Sequence, residues 1–508
     1  MNHWVMLPVV VPLLAAVLVL FNARGRRAVH RAIGLGAVLA QTAVALVLMR
    51  MTLDGGYEVY ELGGWGAPVG IVLVLDRLSA LMLLLTAVVA LAGIAYAVHG
   101  ADNEGRNFHT LYQLQLMGLN GAFLTGDLFN LFVCFEIVLI ASYALMLHGG
   151  GRDRLRAGLH YVIYNLTGSA LFLGAVGVIY GSTGTLNLAD LAVRVPAAPP
   201  ESRPLLHAAA ALLLVVFGVK AALLPWYFWL PRAYSAASAP VAALFSIMTK
   251  LGIYAILRVF TLVFGAENPA AHWLLPLALA THAAGMVGVL ASTGLRRLVA
   301  YLVVASAGTA LSAAGLLSAA GITAAIYYMT HSALAGAALF LLADLVTHQR
   351  GNAADRLEPA VRVAQPALLG GLFFAAAVTA VGLPPMSGFL GKLLVLQAAL
   401  TEPARYWVWA VVLAGGLAGV IALGRAGSVL FWKTVPGPGD WSPRSAPGGT
   451  VLPVAAVLGL GAALVIAAHP ATGFADAAAA QLLRPDGYID AVLGSSNAVY
   501  HLPRGGAP

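Results

Sequence analysis

The sequence predicts an all-α integral membrane protein of about fourteen transmembrane helices. Three observations carry that expectation. Of the 508 residues, 60% are hydrophobic and only 9% charged, whereas a soluble chain of this size carries roughly 25% charged residues; mean hydropathy is +0.88. Apolar stretches of about 20 residues recur along the chain, each long enough to cross a hydrocarbon core. The basic residues behind the net charge of +8 sit mostly in short loops between these stretches, where they read as topology signals and not as a nucleic-acid surface.

The expected spans are, in order, 4–21, 29–50, 72–98, 109–125, 128–147, 160–181, 205–225, 239–263, 272–293, 297–317, 320–345, 367–400, 408–431 and 450–468. The first has no basic residue ahead of it and reads as a retained span rather than a signal peptide. Spans four and five are separated only by Gly126 and Asp127, which predicts a tight helical hairpin. Span seven is broken at Pro225, after which the chain restarts as WYFWLPRAY. Span twelve is too long for one straight helix and contains GLPPMSG at 382–388. Pro384 and Pro385 each remove a helical donor and clash with the preceding turn, so two half-helices are expected there. The polar connections at 183–204, 346–366 and 432–449 read as linkers, and 474–494 as a short surface helix.

Loop charge orients the chain. Arg24, Arg26, Arg27 and Arg31 fill the first loop, and further basic clusters at Arg152/Arg154/Arg156, Arg232, Arg296/Arg297, Arg350/Arg356/Arg362 and Lys433/Arg444 all fall on the same side. The second loop, 54–61, is acidic. The positive-inside rule then places both termini on the outer side of the membrane. The two Pro-broken spans stand five apart, an odd number, so the segments holding them have opposite orientation. Such paired interruptions are the sequence pointer to inverted repeats. The expected divisions are helices 1–3 (1–108), a first five-helix repeat of spans 4–8 (109–264), a second, inverted repeat of spans 9–13 (265–432), and helix 14 with the tail (433–508).

Charges inside the apolar runs are the candidate functional residues. A charged side chain at the bilayer centre costs about 2.5–3.5 kcal/mol on insertion scales, so such groups normally face a bundle interior or a wet cavity. Lys220 precedes the first break and Lys250 lies mid-span in the next helix. Lys392 follows the second break. Glu136 lies nine residues past Asp127, about 13–14 Å into the bilayer at 1.5 Å per residue, and must be protonated or paired. Lys220 is its expected partner, either as a two-state proton device or as a structural salt bridge. His331 reads either as a relay between the lysines or as a hydrogen-bonded structural histidine. Asp344 reads as a helix-end anchor, Arg258 and Arg425 as snorkelling side chains, and Asp76 and Arg77 as interfacial. The aromatic run Trp226–Trp229 reads as belt residues or cavity lining. The single cysteine, Cys134, lies in an apolar run, so no disulfide and no cysteine-based metal site is expected. No phosphate-binding glycine loop and no metal-ligand spacing occurs, and neither a cofactor nor soluble-type catalysis is expected.

Three stretches carry a resemblance: GDLFNLFVCFEIVLIASY (126–143), VKAALLPWYFWLPRAYSAASAPVAALFSIMTKLGIYAILR (219–258) and GLPPMSGFLGKLLVL (382–396). They resemble the antiporter-like subunits shared by respiratory complex I and Mrp-type monovalent cation/proton antiporters. The form FEIVLIASYALMLHG and the start HWVMLPVVVPLL look most like the D-type subunits of the Mrp antiporters. The resemblance implies fourteen helices, broken helices seven and twelve, and a central polar axis through Glu136, Lys220, Lys250 and Lys392. It also implies work inside a complex of other membrane subunits that exchanges Na+ or K+ for protons. The alternative it leaves open is a proton-pumping subunit of a complex I-like NADH-quinone oxidoreductase or membrane-bound hydrogenase. A scaffold whose charges only pair helices is a third reading. One departure matters: many relatives carry a lysine four residues after the histidine matching His331, and here that position is Ala335.

Overall fold

A computed structural model describes residues 2–22, 26–265, 269–436 and 445–494; Arg24, Arg444 and the chain after 494 lie outside the described residues. In chain order the helices are α1 (Leu7–Phe21), α2 (Arg27–Met51), α3 (Arg77–Ala97), α4 (Phe108–Leu124), α5 (Leu128–Met146) and α6 (Arg152–Thr183). There follow α7 (Leu188–Arg194), α8 (Arg203–Ala221), α9 (Trp229–Ala236), α10 (Ala239–Val259), α11 (Leu274–Ala291), α12 (Leu295–Ala314) and α13 (Ala319–His348). The chain closes with α14 (Pro366–Val381), α15 (Ser387–Ala398), α16 (Arg405–Gly427), α17 (Gly448–Ile466), α18 (Ala468–Leu482) and α19 (Pro485–Leu493). Among the described residues, 12 helices are long and apolar enough to cross a membrane. The expected fourth and twelfth spans are occupied by α4, of 17 residues, and by the pair α14 and α15.

Burial sorts the helices into a centre and a rim. Of the apolar window of α13, 94% is buried, and of α10, 89%, against 28% for α17 and 33% for α1. The central helices carry small residues where they meet their neighbours. A Cβ at Gly252 of α10 would lie 2.5 Å from the backbone nitrogen of Ala221, so α8 and α10 touch backbone to backbone. That is the close approach small residues permit where apolar burial alone cannot drive association.

Two expectations change. Residues 72–75, assigned to span three, form strand β2 (Val72–Leu75), antiparallel to β1 (Glu58–Glu61) with Glu58 opposite Leu75 and Glu61 opposite Val72. The helix waits for Asp76, whose carboxylate accepts from the Ser79 N–H while the Ser79 hydroxyl accepts from the Asp76 N–H, a reciprocal cap. The linker at 183–204 also holds structure: α7, capped by Asn187. The tail, expected to hold one short surface helix, holds two, α18 and α19, and α18 is tied to α13 by the Thr323 hydroxyl donating to Asp476 at 2.8 Å.

The breaks repeat one local geometry. After α8, Ala222 takes a left-handed φ of 58°, and after α14, Gly382 takes 83°. In each case the next N–H reaches back into the helix, Leu223 to the Gly218 carbonyl at 2.8 Å and Leu383 to that of Val378 at 3.1 Å. This is a helix C-terminus closed by a left-handed residue, and a proline follows it by three residues, Pro225 or Pro385. A second pairing recurs. At the start of α5, Leu128 N–H donates to Leu186 O and Leu188 N–H to Gly126 O; at the start of α12, Leu295 N–H donates to Asp355 O and Leu357 N–H to Thr293 O.

Candidate functional site

The buried charges and their partners form a seam across the core. At one end is Glu136 on α5. It accepts a hydrogen bond from the Ser169 hydroxyl on α6. One turn away on the same face of α6, Asn165 accepts from Lys220 Nζ at 3.4 Å. Residues four apart on a helix are stacked about 6 Å from one another along its axis, so Glu136 and Lys220 are held on successive turns of α6. The expected direct pair is not made. Lys220 is within the field of Glu136 and lies 5.7 Å from the centroid of the Phe135 ring. Its other contacts are neutral.

The seam continues through the contact of α8 with α10. Gly252, against which the Lys220–Ala221 backbone packs, lies two residues past Lys250. Lys250 is 0% exposed, and its Nζ finds the Thr249 hydroxyl at 3.4 Å. Next comes α13, joined to α10 by the Ser246 hydroxyl donating to Ala333 O at 3.1 Å. His331 on α13 lines the same cavity as Lys392, and its Nδ1 meets the Ser387 hydroxyl at 2.9 Å. Ser387 is the first residue of α15. At the far end Lys392 Nζ donates to the Val381 carbonyl at 2.6 Å.

The helix breaks supply polar groups to this seam. Carbonyls in the last turn of a helix have no intrahelical partner. At the first break the carbonyl of Val219, which accepts from the Ala222 N–H at 3.3 Å, also accepts from the Trp229 indole N–H at 3.1 Å, and the Leu224 N–H is taken by the Thr281 hydroxyl at 2.8 Å. At the second break the orphan carbonyl of Val381 faces the Lys392 ammonium. The aromatic run therefore divides: Trp229 is buried structure, while Phe228 is 54% exposed and suits a membrane belt. A cavity of about 30 Å³ lies beside Lys392, lined in part by His282, Ser306, Tyr328, His331 and Ala335. Ala335 is thus part of the wall of this small chamber.

Comparison with known proteins decides the kinship. Residues 125–421 match the NADH:quinone oxidoreductase/Mrp antiporter transmembrane family. The chain belongs to this family. It is 42% identical to the D component of a probable K+/H+ antiporter of Rhizobium meliloti, covering 98% of this chain and 99% of that one. It is 36% identical to the D component of the Na+/H+ antiporter of Bacillus subtilis, covering 97% and 100%. A chain of the Mrp complex from a Dietzia species superposes with a TM-score of 0.88 at 30% identity, over 97% of this chain and all of that one. A chain of respiratory complex I from Thermus thermophilus superposes at 0.77 and 26%, over 95% and 99%.

In this Mrp/complex I family member, several residues read as peripheral from sequence turn out to be structural. Arg258 does not snorkel. It is 5% exposed and its guanidinium lies 2.6 Å from the carboxylate of Asp76, so Asp76 is an interior residue and not an interfacial one. The cause is tertiary: the turn into α3 and the end of α10 meet, and Tyr254 and Tyr488 flank the guanidinium at 5.5 and 5.4 Å. Asp344 is held by Arg296 and by the Tyr96 hydroxyl at 2.7 Å, tying three helices together. Arg425 caps the end of α11 by donating to the carbonyls of Leu290 and Ser292. Sequence reasoning missed Asn165, Ser169, Ser387 and His282. The one available signal was the i, i+4 pair Asn165 and Ser169 in an apolar helix.

Proposed function

We propose that this chain is the proton-conducting subunit of a multi-subunit Na+ or K+/H+ antiporter of the Mrp type. Protons move along Glu136, Lys220, Lys250, His331 and Lys392, with hydroxyls and water between them. The observation that carries the reading is the seam itself: three lysines, Lys220 and Lys250 buried and Lys392 partly so, whose hydrogen-bond partners are neutral oxygens. An ammonium removed from water without a counter-charge is unstable as a cation, so each lysine readily hands on its proton. Movement of Glu136 toward Lys220 holds the proton on the amine, and withdrawal to Ser169 releases it. The cation is exchanged with the help of partner membrane subunits, as the names of the full-length relatives suggest.

We further infer fourteen spans with both termini outward in a bacterial inner membrane, and two inverted five-helix units (spans 4–8 and 9–13) between the N-terminal helices and the tail. The recurrence of the helix breaks and of the strand-like pairings at α5 and α12 supports the duplication. The alternative, a proton-pumping subunit of a redox complex, draws on the likeness to complex I; subunit genes adjoining this one, antiporter or iron–sulfur, distinguish the two. The direct test is cation-dependent proton flux in everted vesicles bearing the whole complex. Glu136→Gln and Lys250→Ala are expected to abolish flux with assembly intact. Normal exchange by either assembled variant would refute the assignment.

A further inference from the structure

His282, on α11, stands at the far end of the seam and belongs to neither the five expected path residues nor the ion pairs. It is 2% exposed and lines the chamber beside Lys392. Its Nδ1 meets the Ala305 carbonyl at 3.0 Å and the Thr309 hydroxyl oxygen at 2.8 Å. A carbonyl only accepts, and the Thr309 hydroxyl already donates to the same carbonyl at 3.1 Å. Nδ1 therefore carries the hydrogen. Nε2 is left as a basic lone pair, buried and without a hydrogen-bond partner. Buried polar atoms are nearly always satisfied, and an exception asks for a cause.

The surroundings of Nε2 are cleared for it. A Cβ at Gly415 of α16 would lie 2.0 Å from Nε2, and one at the neighbouring Gly416 3.5 Å from Lys392 Nζ. The imidazole and the ammonium thus each approach one of two successive glycines of α16. The chamber holds about 30 Å³, room for roughly two waters at 10–15 Å³ each. Its other titratable lining groups are His331 and Tyr328 on α13; the lining residues from α12, α14 and α16 carry no charge.

We propose that His282 is a proton relay of the second half, exchanging with Lys392 through water in this chamber. The inference rests on the antiporter reading above. In the forward step the Lys392 ammonium gives a proton to water, and that water delivers one to His282 Nε2. The products are a neutral amine and an imidazolium whose Nδ1–H stays on the Ala305 carbonyl. The reverse step returns the Nε2 proton to the chamber. The ring keeps its orientation throughout, because the Nδ1 bond is made in both states.

The test is the pH profile of cation-dependent proton flux in vesicles carrying the whole complex, with assembly checked by co-purification of the subunits. His282→Gln keeps an N–H for the Ala305 carbonyl and removes the titratable nitrogen. It is expected to lower flux by at least about tenfold and to flatten the pH dependence. Gly415→Ala, which drives a methyl against Nε2, is expected to lower flux in the same direction, and the double variant to be no worse than His282→Gln. An assembled His282→Gln complex with wild-type flux and pH profile overturns the proposal, as does wild-type flux from Gly415→Ala if His282→Gln does not assemble. Glu136→Gln separates the two levels: flux lost there but kept in His282→Gln removes only the relay, while flux kept in Glu136→Gln removes the antiporter reading.

Discussion

The pair formed by Asp76 and Arg258 offers a quantitative test of whether an arginine near a span end is snorkelling or structural. Both side chains are almost wholly enclosed, 2% and 6% exposed, and lie 2.6 Å apart. Removing one partner of a buried ion pair costs about 3–5 kcal/mol, because the other charge is left uncompensated, whereas replacing both by groups of similar shape is often neutral. The two single variants differ in a way the contacts define. In Arg258→Met, Asp76 keeps the Ser79 N–H at 2.9 Å and a carboxylate can take up a proton, so the loss falls near the lower end, about 3 kcal/mol. In Asp76→Asn the cap survives, since asparagine caps as well as aspartate, but Arg258 cannot shed its charge. Its remaining aromatic and hydroxyl contacts do not replace a carboxylate, and the loss falls near the upper end, about 5 kcal/mol.

The double variant Asp76→Asn/Arg258→Met should therefore recover most of the loss, to within about 1–2 kcal/mol of wild type. Thermal or denaturant unfolding of the purified complex in detergent, scored by loss of monodispersity, measures the order: wild type, double variant, Arg258→Met, Asp76→Asn. Arg258→Met within about 0.5 kcal/mol of wild type, the scale of ordinary surface substitutions, would sink the reasoning. It would mean that the guanidinium reaches solvent and that the closeness of the two groups is energetically idle.

Two further outcomes follow from local geometry. Gly252→Ala would place a methyl 2.5 Å from the Ala221 nitrogen and 2.9 Å from the Lys220 carbonyl carbon; overpacking of that kind costs about 1–3 kcal/mol, and proton flux should fall together with stability because the shift moves Lys220 away from Lys250. In the loop between α3 and α4, Asp102 is buried, which favours its neutral form, yet hydrogen bonds from His109 and Arg31 outweigh this and hold its carboxyl down to about 2. Its contribution is thus complete above the ordinary value of 3.8 and lost as pH falls toward 2; Arg31→Ala, removing a partly exposed partner, should cost about 1 kcal/mol at neutral pH, and the gap from wild type in unfolding scans should narrow as pH falls from 3.8 toward 2.

What the sequence revealed depended on contrast. Glu136, Lys220, Lys250 and Lys392 stand out because each interrupts an apolar run, and the fold gathers them into one seam. Asn165 and Ser169 were overlooked because neutral polar residues do not break a hydropathy profile, although they hold the first two charges. The second break was read at Pro384 and Pro385, while the helix ends at Val381 and turns at Gly382, a residue type that adopts a positive φ readily. The first was read at Pro225, but the helix ends three residues earlier at Ala222, whose side chain gives no hint of a positive φ. Arg258 and Asp76 were misplaced for a different reason: their partnership joins distant parts of the chain, and depth along a single span says nothing about it. His282 was invisible because its meaning depends on a glycine of another helix.

The distribution of cations explains why the lysines and not the arginines carry the transport reading. Among the described residues every ion pair is made by arginine or histidine, as with Arg31, Arg154, Arg258 and Arg296. Arginine stays charged in any protein setting and binds carboxylates with a rigid fork, so these pairs fix helix positions and cannot pass protons on. The chain has only four lysines. Three of them lie in the seam, and their hydrogen bonds go to an asparagine, a threonine and a backbone carbonyl. None of these oxygens would hold a proton on the amine as a carboxylate does. The single acid within reach, Glu136, is tied by Ser169 one turn from Lys220, near enough to be recruited and far enough to let go. A scaffold would gain from the opposite arrangement, with arginines and paired acids inside. The interior instead closes its arginines with carboxylates, as at Arg258 and Arg296, or with several backbone carbonyls, as at Arg350, and leaves its lysines on single neutral oxygens.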